Sequence, residues 1–258
     1  MRLTVGMASY DNYAETWFTV QALRMFHDLS DCEILIVDNF GSDVLHEYVK
    51  KQGAGVVRYE RRTERQGTAW AKNRVFEHAK GAIVLCIDSH VLLKRGAIES
   101  IHETEDLIHG PLIYTDCKTY STAMLPVWRG HMWGIWADVV KKLPDNPVDI
   151  WGMGMGCFYT CKNSWLGYNE KFKGFGGEEG YIHEKYRQAG RRVISDPRLA
   201  WQHFFRPNNT NPPFKLSIYD KARNYLIGFK ELGLDPQEMA EHFGKDVMRK
   251  ARSYIGTV

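Results

Sequence analysis

Ala82-Ile83-Val84-Leu85-Cys86-Ile87-Asp88-Ser89-His90 is the stretch on which the reading of the chain turns. An uncharged apolar run ended abruptly by an aspartate is what a strand buried on both faces of a parallel sheet requires. Just before it, Thr68 is placed to cap an alanine-containing helix ending near Gly81. Residues 3–8, 33–37 and 56–59 are further strand-like runs, and the second stops at Asp38-Asn39 with Gly41 marking the turn. Phe18, Ala22, Met25 and Leu29, at steps of four, three and four, predict a helix with that set as its packed face. Another helix is expected from about residue 43 to 52, broken by Gly53 and Gly55. Strand and helix alternate, which predicts an α/β fold with a mostly parallel central sheet flanked by helices. In open sheets of this kind ligands collect at the carboxyl ends of strands, where Asp38 and Asp88 sit.

The second half is less regular. Residues 111–136 read as extended segments with loops, and 151–156 are rich in glycine and methionine. A glycine-rich loop over 172–180 holds two acids and leads into a helix with Ile182, Tyr186 and Ala189 on one side, closed by Gly190. Strand-like Val193-Ile194, a turn at Asp196-Pro197 and the segment 199–203 follow. Ile218, Ala222, Tyr225, Phe229 and Leu232 then mark a helix that Gly233 stops, and Asp235, Pro236 and Glu238 start another as N-cap, N1 and N3. The expected organisation is one domain over 1–206, with a nucleotide-binding half (1–110) and an acceptor half (111–206). A helical C-terminal tail (207–258) packs on it.

With 258 residues, 44% hydrophobic and 25% charged, the chain can bury a sizeable core as one large or two small units. A net charge of +3 does not demand a nucleic-acid partner. Arg58, Arg61, Arg62, Arg65, Lys72 and Arg74 nevertheless cluster against only Glu60 and Glu64, which suits a phosphate-bearing ligand or a plain solvated face. Cys32, Cys86, Cys117, Cys157 and Cys161 are odd in number and lack paired zinc spacing, so buried thiols in a reducing compartment are expected. Met1-Arg2-Leu3-Thr4-Val5 runs straight into a strand and no apolar run is long enough to span a bilayer. The expected setting is cytoplasmic, in a bacterium or a virus-infected cell, without a membrane anchor.

Three segments carry candidate chemistry. In an extended segment residues two apart point the same way, so Asp88 and His90 can share one divalent ion, and His203 between aromatics in a second hydrophobic segment can complete the set. Carboxylate plus imidazole suits Mn²⁺ better than Mg²⁺, which favours all-oxygen shells. In Gly174-Phe175-Gly176-Gly177-Glu178-Glu179 the glycines let backbone approach a ligand. The adjacent acids can divide labour there, one holding hydroxyls and the other taking a proton. Residues 65–74 combine Gly67, a helix start and basic side chains, and can offer charge-assisted hydrogen bonds to a diphosphate. They lack Walker-loop spacing, and no Gly-x-Gly-x-x-Gly follows the first strand, which argues against ATP hydrolysis and a dinucleotide-dependent oxidoreductase.

Taken in order, Val5-Gly6-Met7-Ala8-Ser9-Tyr10, Ile34-Leu35-Ile36-Val37-Asp38-Asn39, residues 67–73, Cys86-Ile87-Asp88-Ser89-His90, Gly176-Gly177-Glu178-Glu179 and Trp201-Gln202-His203 resemble family-2-type glycosyltransferases with the GT-A (Rossmann-like) fold. The Asp-Ser-His form and the late histidine are similar to polypeptide N-acetylgalactosaminyltransferases. Gly-Gly-Glu-Glu looks like the corresponding segment of galactosyl- and N-acetylgalactosaminyltransferases. The resemblance, over roughly residues 1–206, implies transfer of a sugar from a nucleotide-diphosphate donor, a UDP-sugar above all, to a hydroxyl acceptor. It implies that Ala8 and Tyr10 line the base pocket with Asp38 near base or ribose, and that Arg65, Gly67, Asn73 and Gly177 lie at the donor. It implies that Asp88, His90 and His203 hold Mn²⁺ (or Mg²⁺) against the diphosphate. Glu178 would contact donor sugar or acceptor, and Glu179 stands where inverting relatives carry a catalytic Asp; Glu in place of Asp leaves the stereochemistry open. Golgi relatives also carry a membrane anchor and a lectin domain, and without them a secretory role is not expected. Acceptors of such folds include polysaccharide, lipid, protein, small molecules and a hydroxymethylated base in phage DNA. A non-catalytic nucleotide-sugar or carbohydrate-binding module is the rival of another class, and a sugar-nucleotide pyrophosphorylase lacks its glycine-rich signature here.

Overall fold

The computed structural model describes residues 1–52, 57–61, 66–206, 214 and 216–255. The first half runs β1 (Leu3–Ser9), α1 (Tyr13–Phe26), β2 (Cys32–Asp38), α2 (Asp43–Lys50), β3 (Val57–Arg61), α3 (Thr68–His78), β4 (Ile83–Asp88) and β5 (Val91–Leu93). The middle adds β6 (Leu107–His109), β7 (Leu112–Ile113), β8 (Tyr120–Arg129), β9 (Met132–Val140), β10 (Val148–Asp149) and β11 (Cys157–Cys161). Then come α4 (Glu178–Gln188), β12 (Val193–Ser195), β13 (Trp201–His203), α5 (Ile218–Leu232), α6 (Gln237–Phe243) and α7 (Lys245–Ile255).

The central sheet has the order β10-β12-β6-β11-β4-β1-β2-β3. β1 to β4 are mutually parallel, while β11 enters antiparallel between β4 and β6. All seven residues of β2 are buried, as a strand covered on both faces must be. Its side chains alternate between two cores: Ile34 and Ile36 belong to the one that includes Val20, Leu23 and Leu45 of α1 and α2, while Leu35 and Val37 belong to the one that includes Ala71 and Val75 of α3. Extended segments after residue 111 join β5 in a second sheet, β5-β13-β7-β8-β9, ending in the long β8–β9 hairpin.

Three local expectations are corrected. The packed face of α1 is Thr16, Thr19, Val20 and Leu23, whereas Phe18 and Met25 are 65% and 72% exposed. The threonines bury without penalty because their hydroxyls are satisfied: Thr16 Oγ1 donates to Asn12 O at 2.9 Å, and Thr19 Oγ1 accepts from Val91 N at 3.1 Å. A reading weighted by apolarity alone selects the wrong stripe. Helix α3 is capped by the backbone of Gly67, without a side-chain cap, and Thr68 is its first residue. Gly244 splits the last helical stretch into α6 and α7, and Pro236 takes the N-cap position expected for Asp235.

The C-terminal helices form their own apolar cluster from Tyr225, Phe229, Met239, Phe243 and Met248, packed against Trp128 and Trp133 of the hairpin. They also brace the glycine-rich loop: Asn224 Nδ2 of α5 donates to Lys173 O at 2.9 Å and Gly176 O at 2.8 Å. Among the described residues no helix is long and apolar enough to cross a membrane.

Candidate active site

The register of the parallel strands sets Ala8 beside Asp88 and Ser9 beside Asp38, so the chain leaves the sheet along one edge. There a cleft of about 450 Å³ opens, lined by Ala8, Tyr10, Gly67, Lys72, Asp88, His90, Glu178, Glu179 and His203 among others. Its outer wall is apolar, with Met124 and Trp136 of the hairpin, Phe175, Phe205 and Phe214.

His203 arrives from the far end of the sequence through sheet pairing. β13 runs antiparallel to β5 with His203 opposite Val91, and Phe204 N donates to His90 O at 3.0 Å. The two Nε2 atoms of His90 and His203 lie 3.0 Å apart, and His203 Nε2 is 3.7 Å from Asp88 Oδ2. The three donor atoms all fall within 4.8 Å of one another. Both Nδ1 atoms are buried without a partner. One carboxylate oxygen and two imidazole nitrogens at this spacing fit a divalent cation with mixed O/N preference.

Behind Asp88 stands Lys72, buried in the middle of α3, its Nζ 3.1 Å from Asp88 Oδ1 and donating also to Met155 O. Burial alone would raise the Asp88 carboxyl, but the Lys72 ammonium and then the His203 hydrogen bond hold it far below the usual carboxylate range. Burial likewise would lower Lys72, and Asp88 outweighs it, so the ammonium is held charged. His90 is pushed down to about 4, chiefly by burial, so its imidazole is neutral near pH 7 and available as a ligand.

The second group of charges comes from the start of α4. Gly177, in the left-handed region at φ 97°, turns the loop into the helix and delivers Glu178 and Glu179 to the cleft. Both side chains keep a buried oxygen without a hydrogen-bond partner, Glu178 Oε1 and Glu179 Oε2. Burial, and behind it the charge of Glu179, push Glu178 up to about 8. Glu179 is raised too, by burial, but Lys72 and Lys221 oppose the shift. Both carboxyls are thus raised by burial, Glu178 the one held protonated near pH 7, while the Lys72 and Lys221 ammonium groups work against the rise at Glu179.

Residues 4–109 match the family described as Glycosyl transferase family 2. Over those residues the chain resembles family 2 glycosyltransferases, and its fold is of the GT-A type. Among solved structures, it is similar to GalNAc-T7 with UDP, GalNAc and Mn²⁺ (TM-score 0.74, 16% identity, 98% of this chain and 54% of that one). It is similar as well to a mannosyltransferase from Pyrobaculum calidifontis in complex with GDP-Man and Mn²⁺ (0.58, 14%, 99% and 74%). A third is S. aureus TarS 1-349 in complex with UDP-GlcNAc (0.59, 12%, 98% and 73%). The chain thus spans about half the length of the GalNAc-T7 structure. No curated protein matches its sequence.

Within the matched segment and those that complete the cleft, the candidate residues Ala8, Tyr10, Gly67, Asp88, His90, Glu178, Glu179 and His203 come together. Three others are placed elsewhere. The fully buried Asp38 carboxylate is consumed within its own turn, accepting from Phe40 N at 2.9 Å, Ser42 N at 2.8 Å and the Tyr59 hydroxyl. Asn73 holds the loop before α4, donating to Tyr168 O and accepting from Trp165 Nε1 and Tyr168 N. At Gly177 a Cβ would meet Asn224 Cβ at 2.9 Å, so its close approach is to α5. Arg65, with Arg62, lies outside the described residues.

The basic cluster dissolves into ion pairs: Arg58 with Glu33, Arg61 with Asp43, and Arg74 with Glu60 and Glu77. Lys72 is its described member that lines the cleft. The sequence carried a signal for it, since Ala69, Lys72, Val75 and Phe76 share the buried stripe of α3. A lysine inside such a stripe needs a buried counter-charge. The hairpin wall had no comparable signal.

Proposed function

We propose that the chain is a metal-dependent hexosyltransferase, moving a sugar from a nucleotide-diphosphate donor, a UDP-sugar first, to a hydroxyl acceptor. The observation that carries this reading is the convergence of Asp88, His90 and His203 on one point in the cleft that also receives Glu178 and Glu179. Mn²⁺ is the assigned ion, with Mg²⁺ a weaker substitute for this donor set. When bound, it supplies Lewis-acid stabilisation of the departing diphosphate, worth several kcal/mol.

The protein's own groups do the rest. Lys72 keeps Asp88 ionised and aimed. Ala8 and Tyr10, with Gly67 across the cleft, form the donor pocket, so residues 1–110 serve the nucleotide and 111–206 the acceptor. Glu179 is the general base that takes the proton of the attacking hydroxyl. Glu178, neutral near pH 7, donates a hydrogen bond to a sugar hydroxyl. Nucleotide-diphosphate binding in the three similar structures supports the donor class.

The test is a panel of nucleotide sugars assayed for Mn²⁺-dependent diphosphate release, with thermal shift run alongside. Mn²⁺ alone should raise the melting temperature of the wild type and leave His203→Ala unmoved. Glu179→Gln should bind UDP normally and lose transfer by about 10²–10⁴-fold. Equal Mn²⁺ stabilisation of wild type and His203→Ala overturns the site; full transfer by Glu179→Gln overturns the base. The aromatic wall of Trp136, Phe175, Phe205 and Phe214 favours a planar acceptor as a second reading, a hydroxymethylated base flipped from DNA. A gel shift with modified and plain duplex at two salt concentrations tests it.

A further inference from the structure

The helical tail brings a cation to the start of α4. Lys221 stands in the first turn of α5, whose N-terminus is capped by Ser217 Oγ accepting from Asp220 N at 3.2 Å. Its stem lies across the glycine-rich loop: a Cβ at Gly176, where φ is 99°, would meet Lys221 Cγ at 2.7 Å, Cδ at 3.1 Å and Cε at 3.3 Å. Glycine at 176 therefore gives the lysine its path over the loop. The ammonium lies 5.4 Å from the centre of the Phe175 ring, a cation–π contact with a residue of the cleft wall. Gly177 packs on Asn224 of the same helix, and α4 begins at the next residue. Helix α5 thus holds the loop and sets Lys221 beside the turn that delivers Glu178 and Glu179.

Among the described residues no hydrogen bond or ion pair claims the Lys221 ammonium. Burial lowers it, and the charges of Glu179 and then Glu178 oppose that shift. The effect is mutual: Glu179 is raised by burial and held back by Lys72 and Lys221. Of these two cations, Lys72 is committed to Asp88 Oδ1 at 3.1 Å and to Met155 O. The other groups around Glu179 give its charge no support. Asp88 of β4 opposes its ionisation, and Glu178 of its own helix is itself raised by burial and by the Glu179 charge. The Tyr225 hydroxyl of α5 is pushed well up by burial and then by Glu179, so it stays neutral. From β9 the uncharged Trp133 ring packs on Gly180, and His90 and His203 line the same cleft, His90 as a neutral imidazole.

We propose that Lys221 is a positioning residue for the general base: its ammonium, carried by α5 across the glycine-rich loop, keeps Glu179 in the proton-accepting form while Lys72 answers Asp88. The inference rests on the transferase reading and gives the tail a part in the chemistry besides packing. The proton of the acceptor hydroxyl passes to Glu179, and Lys221 acts on that carboxylate without touching donor or acceptor.

Transfer by Lys221→Met, with a nucleotide sugar that the panel shows to be turned over, tests this across a pH series. Its kcat should fall by about tenfold at the acid end and approach the wild-type value as pH rises, with KM for the donor unchanged. Lys221→Arg keeps the charge and should restore the wild-type profile. Loss by one factor at every pH, as damaged packing would give, overturns the proposal, and so does unchanged turnover or an arginine that does no better than methionine. Urea unfolding in EDTA gives a readout without turnover. Removing Lys221 raises the folded Glu179 carboxyl further above its unfolded value, so Lys221→Met should lose stability relative to wild type as pH rises from about 5.5 to 7.5. In a Glu179→Gln background the same comparison should show little of that slope. Equal slopes in the two backgrounds overturn the pairing. A panel in which no nucleotide sugar turns over sinks the transferase reading, while the unfolding slopes still decide whether Lys221 acts on Glu179, so the two failures are told apart.

Discussion

Replacing Glu178 by Gln should stabilise the protein, and more so as pH rises. Glu178 is 3% exposed and its carboxyl is raised from 4.5 to about 8, by burial and then by the Glu179 charge. Below about pH 4.5 the group is protonated both folded and unfolded, and the shift has no effect on stability. Above it the unfolded chain releases a proton that the folded chain retains, so stability falls with rising pH until about 8 and levels off. Between pH 5.5 and 8.5 these two values give about 3 kcal/mol of lost stability. Glutamine has the same shape and no charge to bury, and it also relieves Glu179 of a charged neighbour. The gap between Glu178→Gln and wild type should therefore widen by about 3 kcal/mol over that range. At about 2–4 °C per kcal/mol for a chain of this size, that is a change of about 6–12 °C in relative melting temperature. Comparing the two proteins at each pH cancels the opposite contribution of histidines buried neutral, such as His109, which burial lowers to about 3. Calorimetry or urea titration in EDTA at four pH values measures the gap. A gap that stays constant or narrows with pH refutes the raised carboxyl and, with it, the division of roles between Glu178 and Glu179.

In EDTA, Asp88→Asn should cost about 3–5 kcal/mol by stranding the Lys72 ammonium in the interior, and Lys72→Met in the same chain should recover part of it. Additive urea-unfolding energies for the two changes would show that the pair is not coupled. At Gly67, φ +125° and a Cβ that would sit 2.5 Å from Gly174 O leave no room, so Gly67→Ala should cost about 2–5 kcal/mol and weaken UDP binding. Gly96→Ala, at φ +84° with open space around it, should cost only about 1 kcal/mol, and equal losses at the two sites would remove the close loop contact from the account.

Much of the site was legible because its parts end recognisable elements. Asp88 closes an apolar run, the glutamates follow a glycine loop into a helix, and His203 sits in a short hydrophobic segment. Asp38 ends a strand just as clearly, yet its carboxylate satisfies the turn behind it; position in sequence gives the edge of the sheet but not the direction in which a side chain is spent. Asn73 and the described arginines of the cluster, Arg58, Arg61 and Arg74, are likewise spent on partners that periodicity does not locate.

By itself the sequence determined the parallel half of the sheet, the glycine-marked ends of α4 and α5, and which residue types could meet at the strand ends. These follow from backbone preference and hydrophobic period, both local properties of the chain. Only the tertiary structure decided which face of α1 is packed, that Lys72 answers Asp88, and that β13 lies on β5 so that two histidines 113 positions apart touch. Those outcomes depend on strand register and on whether a buried polar atom finds a partner, and both are fixed by contacts between segments distant in sequence.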